Sequence, residues 1–226
     1  MAIDGPAGAG KSTVARGLAV RLGFRYLDTG AMYRSLTWLA LRRGLDLGDG
    51  GRLGDLARAN PVVFDADGRV FIDDNDVTDS IRQVRIDQMV PVVARHHEVR
   101  EVMRERQREL AAEGDVVIEG RDIGTVVVPN ADVTVYLVAD PSVRARRRQA
   151  ERPDIGADAL ATDLKLRDES DHARMQPAPD ACLIDTTELA VEDVIARIED
   201  LVRAKTAVCW PTATSHGRPR GCGSGR

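Results

Sequence analysis

The run Gly5-Pro6-Ala7-Gly8-Ala9-Gly10-Lys11-Ser12-Thr13 fills every fixed place of the pattern G-x-x-x-x-G-K-[ST]. Each residue type in it has a use in phosphate chemistry. Glycine and alanine let the backbone curl around an anion, so that successive N–H groups and a helix N-terminus point at one phosphate. Lys11 adds a point charge for the outer phosphates, and the Ser12 hydroxyl is placed to ligate Mg²⁺. An ordinary glycine-rich turn opening a helix would require neither the lysine nor the hydroxyl.

Such a loop works only between a strand and a helix. Met1-Ala2-Ile3-Asp4 reads as a strand end, and Val14, Leu18 and Leu22 recur at helical spacing up to Gly23. Phe24-Arg25-Tyr26-Leu27 reads as a second strand, followed by a helix to about Arg43 that buries Leu36, Leu39 and Ala40 before Gly44. The stretch 44–54 reads as loose and glycine-rich. Val62-Val63-Phe64 and Val70-Phe71-Ile72, joined through Asp65-Ala66-Asp67-Gly68, predict an inserted β-hairpin. Helical periodicity returns over 80–111, with Val99, Val102, Met103 and Leu110 on one face and breaks expected at Pro91 and His96-His97. Val116-Val117-Ile118, Val133–Val138 and Ala181–Ile184 suit interior parallel strands. Helices over Pro141–Glu151 and through Val194, Ile195, Ile198, Leu201 and Val202 complete an alternating pattern. That pattern means a doubly wound parallel α/β sheet with ligands at the C-terminal strand ends.

Composition narrows the classes. The 226 residues make one domain with an insertion or a tail, and no apolar run approaches transmembrane length. Cys182, Cys209 and Cys222 are too few and odd in number for a disulfide framework. With no leader ahead of the loop, a cytoplasmic protein is expected. A net charge of −4 argues against a general nucleic-acid binder, and nothing demands more than a monomer. Only Lys11, Lys165 and Lys205 of the 32 basic residues are lysines; arginine chelates phosphate bidentately, but a genome's base composition gives the same bias. Residues 206–226 lack acidic residues and periodicity and read as a disordered tail; Cys209, His216 and Cys222 are too scattered to make a zinc site.

Three later segments sharpen the picture: Asp28-Thr29-Gly30-Ala31-Met32-Tyr33-Arg34, Glu119-Gly120-Arg121-Asp122-Ile123-Gly124-Thr125-Val126-Val127 and Arg167-Asp168-Glu169-Ser170-Asp171-His172-Ala173-Arg174. Together with the loop they resemble bacterial-type cytidylate kinases over roughly residues 1–205. The resemblance implies the P-loop nucleoside monophosphate kinase fold, here a doubly wound parallel five-stranded sheet with helices on both faces. It implies a core at about 1–54 and 96–205, a monophosphate-binding insertion at about 55–95 that matches the hairpin, and a lid at about 148–165. It further implies transfer of the γ-phosphoryl group of ATP to CMP or dCMP with Mg²⁺. ATP then falls on Asp4, Gly5, Pro6, Ala7, Gly8, Ala9, Gly10, Lys11, Ser12 and Thr13.

The remaining roles follow by resemblance beside a plainer reading. Thr29 and Arg34 follow a strand at the ligand edge and resemble the residues that hold the CMP phosphate; by themselves they also fit a helix cap and a surface arginine. Arg121 resembles the arginine on the acceptor phosphate, and Asp122 the carboxylate that accepts from the cytosine amine, although a strand-end salt bridge fits both. Arg100 looks like the arginine on the acceptor edge of the base, and equally like a helix-face charge. Arg167, Asp171 and Arg174 share one helix face by spacing. The resemblance directs Arg167 and Asp171 to the sugar and Arg174 to the phosphates; otherwise they form an ion-pair stripe. Arg144-Ala145-Arg146-Arg147-Arg148 leads into the lid, and Arg147 and Arg148 are favoured as the arginines that close over ATP. Catalysis is thus expected from Lys11, Arg121, Arg174, Arg147 and Arg148.

Two departures stand out. Pro91 falls where relatives often carry a serine near the base, and it offers neither hydroxyl nor N–H. Only four residues precede Gly5, so the first strand is expected to be poorly paired and the start to lie upstream. Rival readings are a P-loop kinase for UMP, AMP or shikimate, a GTPase-type switch and a non-catalytic nucleotide-binding regulator. Asp65–Gly68 fits D-x-x-G but lies in a hairpin turn, and no N-K-x-D occurs.

Overall fold

The computed structural model describes residues 1–65, 67–153, 155–172 and 175–209, the side chains of 206–209 excepted. Its elements run β1 (Ala2–Asp4), α1 (Lys11–Leu22), β2 (Arg25–Asp28), α2 (Thr29–Arg42), α3 (Gly50–Ala59), β3 (Val63–Phe64), β4 (Val70–Ile72), β5 (Asn75–Asp76), α4 (Val84–Ala94), α5 (His97–Ala112), β6 (Val116–Glu119), β7 (Thr134–Val138), α6 (Pro141–Glu151), α7 (Ala157–Asp171), β8 (Cys182–Asp185) and α8 (Val191–Cys209). A 3₁₀ turn at Ser80–Arg82 precedes α4, and a π-helical turn at Ile123–Val127 follows β6.

The apolar runs form a parallel five-stranded sheet in the order β2-β6-β1-β7-β8. Strand residues point alternately to the two faces, so the sheet divides the core in two. Ala2 and Ile118 face a cluster built with Leu36 and Leu39 of α2, Leu53 of α3 and Val99 of α5. Ile3, Val117, Val135 and Leu137 face Val14 and Leu18 of α1 and Ile198 of α8. β1 has three residues, yet it is central and paired on both sides, with Ala2 opposite Ile118 and Thr134. The Met1 amino group extends that pairing by donating to the Val116 carbonyl at 2.9 Å. The expectation of a poorly paired first strand is therefore corrected.

Several other expectations are also corrected. Within the glycine-rich 44–54 stretch a helix begins at Gly50, because Asp49 accepts from Arg52 N at 3.0 Å and Leu53, Leu56 and Ala57 supply a buried face. The drawn boundary at 55 falls inside that helix. The hairpin gains a third strand: Asp73 and Asp74 adopt left-handed φ of 51° and 58°, the two-residue turn that lets β5 fold back on β4. Pro91 does not break the helix but lies inside α4, whereas the break at His96 holds. The last helix continues to Cys209, past the expected tail start at 206; residues 210–226, including His216 and Cys222, lie outside the described residues. No helix among the described residues is long and apolar enough to cross a membrane.

Candidate functional site

The glycine loop leaves the C-terminal end of β1 and enters α1. Gly5 has φ 142°, and a Cβ there would collide with the Leu137 carbonyl oxygen of β7. Gly8 has φ 77° and faces Arg144, whose Cβ would lie 2.9 Å from an added Cβ. The loop is thus packed against its neighbours where only glycine fits. Arg144 of α6 fixes it further by donating to the Ala7 carbonyl at 3.1 Å and to Asp168 of α7 at 2.7 Å. The Asp4 carboxylate accepts from Ile123 N and Gly124 N at 2.9 and 2.8 Å, fastening β1 to the π-helical turn. Burial raises its pKa, with those two N–H groups opposing.

Lys11 folds back and donates from Nζ to the Pro6 carbonyl at 2.8 Å. Burial, and then the Arg121 guanidinium, push its pKa down to about 7. Ser12 donates to a Glu119 Oε2 at 2.9 Å, while the Tyr26 hydroxyl donates to Oε1 of the same carboxylate. Burial, and then Asp28, raise the pKa of Glu119. A lysine, a hydroxyl and a buried carboxylate therefore meet at the ends of β1 and β6, with Ser12 open to solvent.

A cavity of about 230 Å³ opens beside the loop over the ends of β2 and β6, and Lys11, Ser12, Thr29, Arg34, Arg100, Arg121, Asp122, Arg148, Arg167 and Asp171 all line it. The order of the sheet explains the convergence, because β2, β6 and β1 are neighbours and each delivers its following residues to the same edge. Asp28 ends β2, caps α2 by accepting from Ala31 N at 2.8 Å, and pairs with Arg34 at 2.7 Å. Arg34 Nε is buried without a hydrogen-bond partner among the described residues. Thr29 donates to the Glu119 carbonyl at 2.6 Å. Arg121 donates to the Gly5 carbonyl at 2.6 Å and pairs with Asp171 of α7 at 3.2 Å, so it bridges the loop and α7. Arg100 of α5 pairs with Asp122 at the far end, presenting N–H donors beside a carboxylate acceptor.

Not every residue named from the sequence lines this cavity: Asp4, Gly5, Pro6, Ala9, Gly10, Thr13 and Arg147 do not. Arg147 donates twice to Thr186, at 3.0 and 2.6 Å, and does not line the cavity. Arg174 lies outside the described residues; Arg167 and Asp171 both lie on α7. Sequence reasoning gave no role to Asp28, Tyr33, Asp87, Arg104, Gln107 and Glu119, all cavity-lining, although Asp28, Tyr33 and Glu119 lie in the identifying segments. Glu119 had a signal, being the polar residue that closes an otherwise apolar strand; Asp87 and Gln107 had none.

A parallel sheet with a phosphate loop at its central strand and cationic side chains gathered over the strand ends defines a kinase of the P-loop class. A gluconokinase from Sinorhizobium meliloti shares this fold, with a TM-score of 0.51 at 14% identity, covering 92% of this chain and 94% of that one. The chain belongs to the cytidylate kinase family, whose model, described as Cytidylate kinase, matches residues 1–204. Among its relatives, the cytidylate kinase of Shouchella clausii is 44% identical over 90% of this chain and 95% of its own length. That of Pelotomaculum thermopropionicum is 46% identical over 90% of this chain and 96% of its own.

Proposed function

We propose that the cavity is a two-nucleotide site in which this enzyme transfers the γ-phosphoryl group of ATP to CMP or dCMP, giving ADP and CDP or dCDP. The observation that carries this reading is that Lys11, Arg34, Arg121, Arg148 and the Arg100–Asp122 pair line one cavity beside the glycine loop. The loop from Gly5 to Thr13 takes the donor phosphates, with Lys11 on the outer ones. Thr29, Arg34 and Arg121 take the acceptor phosphate, and Arg167 and Asp171 the sugar. Arg174 is assigned to the phosphates by its motif.

The Arg100–Asp122 pair is complementary to the ring acceptor and amine donor of cytosine. Uracil places an oxygen where Asp122 expects a donor, and such an opposed buried polar group discriminates strongly. Ser12 and Glu119 offer a hydroxyl and a carboxylate, hard oxygen ligands that fit Mg²⁺. When bound, the ion neutralises charge on the β- and γ-phosphates.

The acceptor is a phosphate oxygen that is largely ionised at neutral pH, because its second pKa is about 6. A general base is not required. Catalysis rests on holding donor and acceptor in line and neutralising the charge that spreads over the transferred group. Closure of the lid, at about 148–165, and of the insertion excludes water that would otherwise hydrolyse ATP. Arg148 serves in that closure; Arg147, tied to Thr186 beside Gly10, steadies the donor loop in this conformation. ADP release coupled across CMP, dCMP, UMP, AMP and shikimate tests the reading, and a preference for shikimate or AMP overturns it.

A further inference from the structure

One turn of α4 gathers three arginines, Arg148, Arg152 and Arg167, through contacts that their sequence motifs do not predict. Asp87 is 7% exposed, and its Oδ2 accepts from Arg148 at 2.9 Å and from Arg152 at 2.6 Å. Arg152 also donates to the Arg82 carbonyl at 2.7 Å. The main chain of the same residue is used as well, since its carbonyl accepts from Arg167 at 3.0 Å. Pro91, four residues on and inside the helix, has no N–H to bond that carbonyl, so Arg167 meets no helical competitor there. Arg148 and Arg167 both line the cavity.

We propose that Asp87 and Pro91 form a latch, a positioning pair that joins the acceptor-side insertion to the lid and holds Arg148 and Arg167 facing the substrates. The carboxylate neutralises two guanidinium groups where they leave water, and proline vacates a backbone acceptor for a third. Lid closure and docking of α4 thereby become one event, and the proline replaces the contact a polar side chain would make there by an indirect one. The proposal rests on the two-nucleotide reading of the cavity.

The test compares Asp87→Asn, Asp87→Glu, Pro91→Ala and Arg152→Ala with the parent enzyme. The readouts are kcat, KM for ATP and CMP, ADP formed per CDP, and hydrogen exchange of α4 and α7 with ADP and CMP bound. Pro91→Ala restores a helical N–H to Asp87 and improves helix propensity, so melting temperature holds or rises. CMP KM is nevertheless expected to rise about tenfold or more, the value of one charge-assisted hydrogen bond. Asp87→Asn should raise both KM values about tenfold or more, increase ADP formed without CDP, and speed exchange in α7; Asp87→Glu should recover part of this. The effects of Asp87→Asn and Arg152→Ala should be non-additive by about threefold or more.

A stable Pro91→Ala enzyme with parental CMP KM, or additive Asp87 and Arg152 effects, overturns the latch. A parent enzyme that binds CMP without phosphorylating it, while the exchange differences persist, overturns the two-nucleotide reading and leaves the latch standing.

Discussion

Replacing Glu119 by glutamine tests whether the buried carboxylate serves the metal or merely fills space. Glu119 is 4% exposed and accepts from two hydroxyls, Ser12 and Tyr26. Glutamine keeps the shape but has one acceptor oxygen, so one hydroxyl must turn away, at a cost of about 1–3 kcal/mol. Removing a buried negative charge offsets that cost, since burial already raises its pKa. The melting temperature should therefore move by only about 2–4 °C. Function should suffer far more, because a lost metal ligand or its support typically costs about 10–100-fold in affinity or rate. The assay is a Mg²⁺ titration of CDP formation at saturating ATP and CMP, with calorimetry of ADP binding with and without Mg²⁺. Half-maximal Mg²⁺ should rise and kcat fall by that factor, while metal-free ADP binds as in the parent. A parental Mg²⁺ requirement in a folded Glu119→Gln enzyme refutes the assignment.

Tyr26→Phe, which removes one of the two donors to Glu119 while keeping the ring, should raise half-maximal Mg²⁺ about threefold in the same titration, and no change would make the tyrosine purely structural. Arg121→Ala should lower kcat about a thousandfold in the ADP-release assay, as expected for a guanidinium on the transferred group, and unchanged CMP phosphorylation removes it from the mechanism. Lys11 gives a proton signature. Its pKa in the free enzyme is near 7, and bound phosphates return it toward the ordinary lysine range, so above pH 7 the complex holds a proton that the free site lacks. ADP binding at pH 8 should take up protons, read from calorimetry in two buffers of different ionisation heat. Lys11→Met should abolish the uptake, and equal uptake in both proteins contradicts the buried-lysine account.

Local signals carried the reading where they agreed with tertiary structure. The loop, its flanking strand and helix, and the apolar runs at 116–118 and 133–138 were legible because an interior parallel strand is apolar on both faces. The site was legible where residues sit beside strand ends, as with Arg34, Arg121 and Asp122. It was not legible at Asp87, whose carboxylate contacts lie 61 and 65 residues away and follow only from how α4 meets the end of α6. α3 was hidden because Gly50, Gly51 and Gly54 argue against a helix, while the Asp49 cap and burial on α5 override them. Pro91 misled in the opposite direction. A proline costs a helix one backbone bond, but here the released carbonyl finds Arg167.

The most direct test of the two-nucleotide site is kcat/KM for CMP against UMP in the parent enzyme and in Asp122→Asn. If Asp122 reads the amine from beside Arg100, the parent prefers CMP by on the order of a hundredfold or more, and Asp122→Asn narrows that ratio by lowering CMP turnover rather than total activity. Equal rates on CMP and UMP in the parent, or an unchanged ratio in the variant, would contradict it.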